Sequence, residues 1–181
     1  MYIQTQTTPN PDSIKFLPGK TVSVDGSYEI TNKEEANNEL IKNILSINGV
    51  TGIFLWKDFI SLNKKKDIAW EDIKHIVISL INEFYSSGKE HVIDIKLQNI
   101  NNKRKFVEIE KQIIKILDTK IRPAVAKDGG DIKFQEYKDG VVKLKLEGSC
   151  SGCPSSTMTL KQGVQNLLCH YIPEVKEVLA V

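Results

Sequence analysis

Apolar positions along the chain switch between a period near 3.6 and a period of two, and the switches outline the elements. Residues 3–6 and 14–17 read as short strands separated by Pro9-Asn10-Pro11-Asp12, and Pro18-Gly19 stops the second. Val22 and Val24 predict another short strand. Ala36, Leu40, Ile41, Ile44 and Leu45 then recur at helical spacing. Thr31 is placed to cap that helix, with Glu34 completing a capping box and Gly49 as the stop. Residues 50–56 and 59–62 are rich in strand formers and flank Lys57-Asp58 as a hairpin. Trp70, Ile73, Ile76, Val77, Leu80, Ile81 and Phe84 mark one face of a second helix, opened by Asp67 and closed by Ser86-Ser87-Gly88.

The pattern then lapses. Residues 89–105 read as a linker between a first domain, 1–88, and a second, 106–181. Within the linker, Val92-Ile93-Asp94-Ile95 predicts a short extended segment, and Asn101-Asn102-Lys103-Arg104-Lys105 a solvated run, not a nucleic-acid patch. Ile109, Ile113, Ile116, Leu117 and Ile121 share a helix face that Pro123 ends or kinks. Asp128-Gly129-Gly130-Asp131 is a turn whose two acids are expected to serve as turn and cap residues. Residues 132–137 and 141–146 form a hairpin through Asp139-Gly140, with Val142, Leu144 and Leu146 on one face. A helix over 155–170 carries a stripe of Leu160, Val164, Leu167, Leu168 and Tyr171; Pro173 breaks it, and 175–181 is a last strand. The fold class is α+β: two small mixed α/β domains, the second ordered helix, hairpin, helix, strand.

Charge and composition narrow the picture. Lys and Arg total 25 against 23 Asp and Glu, so a net charge of +2 exerts no general pull on nucleic acid or anionic lipid. No apolar run approaches the roughly 20 residues that span a bilayer. The first residues have neither a charged n-region nor an apolar h-region, which predicts a bacterial cytoplasmic protein, or a mitochondrial matrix protein whose presequence is missing. The chain has 3 cysteines, too few for a disulfide-stapled fold, and the close pair among them is better read as a metal or redox site.

That pair is Cys150 and Cys153, in Gly148-Ser149-Cys150-Ser151-Gly152-Cys153-Pro154, between a strand end and a helix start. Two intervening residues let both sulfurs reach one metal centre. The glycines free the backbone to wrap a ligand, Pro154 suits a first helical position, and the helix N-terminus favours thiolate. The expected setting is a surface loop. Cys169 lies roughly 24 Å further along the helix and points away from its apolar stripe, so it reads as an incidental thiol. His75, His91 and His170 read as structural or solvated. One pair supplies two ligands where zinc or a cluster takes four, and a second copy across a two-fold axis is the simplest source of the others. Spacing alone leaves structural zinc open. A thioredoxin-like redox site is the other alternative, although the chain ends too soon after Cys153 to complete that fold.

Residues 106–181 resemble the C-terminal domain of NifU and the Nfu iron–sulfur scaffold proteins. The resemblance rests on Arg122-Pro123-Ala124-Val125, Asp128-Gly129-Gly130-Asp131-Ile132, Asp139-Gly140-Val141-Val142, the cysteine motif through Ser156, and His170-Tyr171-Ile172-Pro173-Glu174-Val175. Residues 1 to about 88 are similar to the Nfu N-terminal domain through Ile3-Gln4-Thr5, Thr8-Pro9-Asn10-Pro11, Lys15-Phe16-Leu17-Pro18-Gly19 and Asp58-Phe59-Ile60. The resemblance implies a scaffold or carrier, not an enzyme, that holds a [4Fe-4S] cluster (with [2Fe-2S] as the other nuclearity) between two protomers. It assigns ligand roles to Cys150 and Cys153 alone. The implied partners are apo iron–sulfur client proteins and, upstream, a cysteine desulfurase or another cluster carrier, with no nucleic acid and no membrane.

Overall fold

The computed structural model describes residues 1–93, 107–151 and 154–181, the side chains of 154–156 excepted. The chain divides into two compact units, Met1–Asn99 and Ile100–Val181, each with its own apolar core.

The first unit is an antiparallel sheet of β1 (Gln4–Thr7), β2 (Ser13–Leu17), β3 (Tyr28–Ile30), β4 (Val50–Leu55) and β5 (Ile60–Lys64), in the order β1-β2-β5-β4-β3. Ile14 and Ile53 both face Leu62 in register, so one apolar row crosses the sheet. Helices α1 (Glu39–Leu45) and α2 (Trp70–Ser86) bury Leu40, Ile41, Ile44, Ile73, Val77 and Ile81 in the same core. The β4–β5 hairpin and α2 lie where the pattern placed them.

Three expectations for this unit are corrected. The first helix starts at Glu39, because Asn38 accepts a hydrogen bond from the Leu40 N–H at 2.8 Å and caps it. The earlier residues form a separate 3-10 turn, Lys33–Glu35, capped by Asn32, and the extended backbone at Ala36 divides the two. Second, α2 begins after Ala69 with no side-chain cap, so Asp67 does not open it. Third, Val22 and Val24 join no named strand. Ser23 makes a single parallel bridge to Ile93, and the Val22 carbonyl accepts from the Val92 N–H at 2.9 Å. Asn38 Nδ2 donates to the Val92 carbonyl at 2.9 Å, and Val92 is buried in the first core. Part of the expected linker is therefore packed onto this unit, while Asp94-Ile95 and the basic run lie outside the described residues.

The second unit runs α3 (Glu108–Ile116), a π turn (Leu117–Ile121), α4 (Arg122–Lys127), β6 (Gly130–Lys138), β7 (Val141–Gly148), α5 (Pro154–Tyr171) and β8 (Glu177–Ala180). Its sheet order is β6-β7-β8, antiparallel between β6 and β7 and parallel between β7 and β8. Asp139 and Gly140, with φ of 53° and 87°, make the expected tight turn. Val142 and Leu144 face a core that also holds Val164, Leu168 and Val178. Pro123 does not end the first helix. It falls at the start of α4, just after the π turn has displaced the hydrogen-bond ladder, where a missing N–H costs little. Ile113, Leu117, Ile121 and Val125 are buried at every fourth residue along this stretch. Tyr171 leaves the α5 stripe: it is exposed, with Lys120 Nζ 5.1 Å from its ring centroid.

Candidate functional site

Two turns meet at one end of the second sheet. The first follows α4, where Gly129 adopts φ 86°, which favours glycine. The second follows β7, where Gly148 has φ 70° and the Ser151 N–H and Oγ both donate to the Gly148 carbonyl, at 3.1 and 2.8 Å. Gly130 pairs with Gly148 in the β6–β7 register. Ser149 stitches the turns together. Its N–H donates to the Gly129 carbonyl at 3.1 Å and its Oγ donates to the Asp128 carbonyl.

Cys150 follows Ser149 and turns inward. It is 7% exposed and belongs to the second core, so the expected surface setting is corrected for this residue. A Cβ placed on Gly130 would stand 2.7 Å from Cys150 Sγ and 2.5 Å from the Glu147 carbonyl oxygen. The thiol therefore packs against a backbone that only glycine leaves bare. Thr157 Oγ1, in the first turn of α5, donates to the Cys150 carbonyl at 3.3 Å. Cys153, the other expected ligand, lies outside the described residues.

Buried carboxylates frame this end of the sheet. Asp131 and Glu147 are register partners, flanking the Gly130–Gly148 pair. Arg122 grips Asp131 with two hydrogen bonds, from Nε at 2.8 Å and Nη2 at 2.7 Å, and Nη1 reaches Asp118 at 2.9 Å. The Ile132 N–H also donates to Asp131, at 2.8 Å. These hydrogen bonds to Asp131 raise the Arg122 pKa above its ordinary value; burial opposes the rise and Asp118 adds to it. Glu147 is paired with Lys133 at 2.7 Å and Lys145 at 3.0 Å. Asp128 does cap α4 as expected, but Asp131 is one half of a buried ion pair. Sequence reasoning missed that pairing, whose one available signal is an acid beside Ile132 at a strand start.

The remaining candidates stay apart from the cysteine turn. Cys169 sits in the last turn of α5 and is half-buried against the core, not turned away from it. One turn earlier, Gln165 accepts a hydrogen bond from the β8 residue Val178 at 3.0 Å. His170 packs its ring on Tyr171, and the His75 ring nitrogen lies 3.1 Å from the Glu71 carbonyl. Among the described residues, no group of three or more His, Cys, Asp and Glu is arranged to hold a metal ion.

The family model "Scaffold protein Nfu/NifU N terminal" matches residues 3–88, and "NifU-like domain" matches residues 113–179. NifU-like protein 5, mitochondrial, of Arabidopsis thaliana is 41% identical over 184 residues, covering 98% of this chain and 67% of the plant protein. The chain belongs to the Nfu/NifU family. Two further Nfu/NifU proteins give the same match over 98% of the chain. NifU-like protein 4, mitochondrial, of Arabidopsis thaliana is 42% identical, and the chain spans 65% of its length. The NFU1 iron-sulfur cluster scaffold homolog, mitochondrial, of Drosophila erecta is 45% identical, and the chain spans 64% of its length. In this chain, the NifU-like match contains both Cys150 and the Arg122–Asp131 pair.

Proposed function

We propose that this chain is an iron–sulfur cluster scaffold or carrier whose cargo is held by Cys150 and Cys153. The observation that carries the reading is the cysteine turn itself: Cys150 is seated by glycine turns directly ahead of α5, inside the stretch that matches the NifU-like domain. Its relative in Drosophila erecta is named for the same role. Two thiolates satisfy half of a cubane's iron ligands, so a [4Fe-4S] cluster takes its other two from a second protomer. Delivery to an apo client is then thiolate exchange at an interface that can open. A cysteine desulfurase or an upstream carrier supplies the sulfur or the whole cluster. The compartment proposed is a reducing one, the bacterial cytoplasm or the mitochondrial matrix, the latter being the organelle in the relatives' names.

Anaerobic reconstitution with iron and sulfide tests this, read by metal and sulfide content alongside oligomer size. The expected result is about two iron and two sulfide per chain in a dimer, lost in Cys153→Ser and kept in Cys169→Ser. A cluster-loaded monomer would overturn the shared site. Half a zinc per chain without iron would replace the reading by a structural zinc module.

A further inference from the structure

Resting on the scaffold reading, we propose that Gly130 forms a parking position for the Cys150 sulfur, and that this position competes with the cluster for the thiolate. A cluster shared with a second chain is reached from outside. Cys150, at 7% exposure with Sγ turned toward Gly130, points into its own core. Loading therefore draws the sulfur out, and unloading lets it return.

The parked state is built on both sides of the sulfur. On one side the turn is held by Ser149 to the Asp128 and Gly129 carbonyls, by Ser151 to the Gly148 carbonyl, and by Thr157 to the Cys150 carbonyl. On the other side the Gly130–Gly148 register brings the bare Cα of Gly130 under the thiol. The second atom that a Cβ would strike is the backbone oxygen of Glu147, which cannot swing aside as a side-chain tip would. The sulfur contact makes glycine a steric condition of the parked state, and the Glu147 contact makes it a condition of the β6–β7 pairing as well. A parked population lowers the apparent cluster affinity by the fraction of molecules that hold the sulfur inward. That bias suits a donor. In the release step an iron–sulfur bond to Cys150 breaks as one to an acceptor thiolate forms. A proton passes through solvent from the acceptor thiol to Cys150, and no electron moves.

Iodoacetamide labelling of the full cluster-free chain, read by peptide mass spectrometry, tests the parking position without any cluster. Cys150 is expected to react at least about tenfold more slowly than in the denatured chain. Gly130→Ala evicts the sulfur and restores most of that rate; Ser149→Ala, which removes one anchor and leaves the Gly130 surface intact, restores part of it. The reconstituted Gly130→Ala chain should lose its cluster to an iron chelator about threefold more slowly than the natural chain. Simple damage would speed that loss. Fast labelling of Cys150 in the natural chain, unchanged labelling in both variants, or faster cluster loss in Gly130→Ala with native circular dichroism would each overturn the proposal. If Gly130→Ala fails to fold, Ser149→Ala decides by the same two readings. Slow labelling in a chain that binds no iron would leave the parked thiol standing and remove the scaffold reading instead.

Discussion

Among the described residues, the buried polar ones of the first unit are Asn10, Ser13, Lys15, Ser23, Ser27 and Ser61, while those of the second are Glu110, Asp131, Glu147 and Ser149. Hydroxyls can satisfy one another, as where Ser13 Oγ and Ser61 Oγ lie 3.1 Å apart across β2 and β5. Buried carboxylates need a cation or several N–H donors; Glu110 accepts from the Val107 N–H at 3.1 Å, while Asp131 and Glu147 draw on cations. Asp131 and Glu147 face each other across β6 and β7, an arrangement of like charges that is unfavourable until Arg122, Lys133 and Lys145 offset it. The second unit thus concentrates its electrostatic dependence at the end of the sheet that seats Cys150. The first unit rests mainly on apolar packing; there Lys15 lies 4.2 Å from the Phe59 ring centroid, and the buried Lys64 side chain pairs with Asp12 at 3.0 Å.

The sharpest way to break this contrast is Arg122→Gln, which leaves Asp131 buried without its main partner. A loss of about 3–5 kcal/mol is expected, confined to the second unit. Both tryptophans, Trp56 and Trp70, lie in the first unit. Guanidinium unfolding followed by tryptophan fluorescence should therefore hold its midpoint while circular dichroism loses an early component. Equal shifts in both signals would refute the division.

A smaller effect sharpens the contrast from the other side. Burial pushes the Tyr85 hydroxyl up to about 12, and its O–H donates to the Thr21 carbonyl at 2.8 Å. The folded chain therefore holds this proton more tightly than the unfolded one, whose tyrosine titrates near 10. The stabilisation is complete below pH 10 and drains away as the pH rises toward 12. Tyr85→Phe should lose about 1 kcal/mol at neutral pH and flatten that decline in the fluorescence-detected transition. A decline of unchanged steepness would exonerate Tyr85. The smallest effect is a gain: a Cβ on Gly163 of α5 meets nothing within 4 Å, so Gly163→Ala should stabilise the second unit by about 0.5–1 kcal/mol, read in the circular-dichroism component of guanidinium unfolding.

Where local rules decide, the sequence was readable. Asp139-Gly140 dictates its hairpin through backbone angles, and the alternation of Val142, Leu144 and Leu146 sets the buried face of β7. Reading failed where two local signals compete or where the partner is distant. Thr31, Asn32 and Asn38 are all competent caps, and only the extended backbone at Ala36 selects Asn38 for α1. The strand Tyr28–Ile30 is three half-buried residues with no alternation to detect. The spacing of Cys150 and Cys153 carries no information about depth. That Cys150 faces inward depends on Gly130, twenty positions earlier, meeting it across a strand register. The Arg122–Asp131 grip likewise joins a helix start to a strand start through tertiary placement.

The π turn at Leu117–Ile121 acts as a vernier. A straight α-helix advances 100° per residue, so the twelve steps from Ile113 to Val125 would leave those side chains about 120° out of phase. All four of Ile113, Leu117, Ile121 and Val125 are nevertheless buried. One widened turn absorbs the surplus rotation. The same correction sets the azimuth at which Arg122 emerges, so the angular error of a long helix is cancelled just before the residue whose aim at Asp131 matters most.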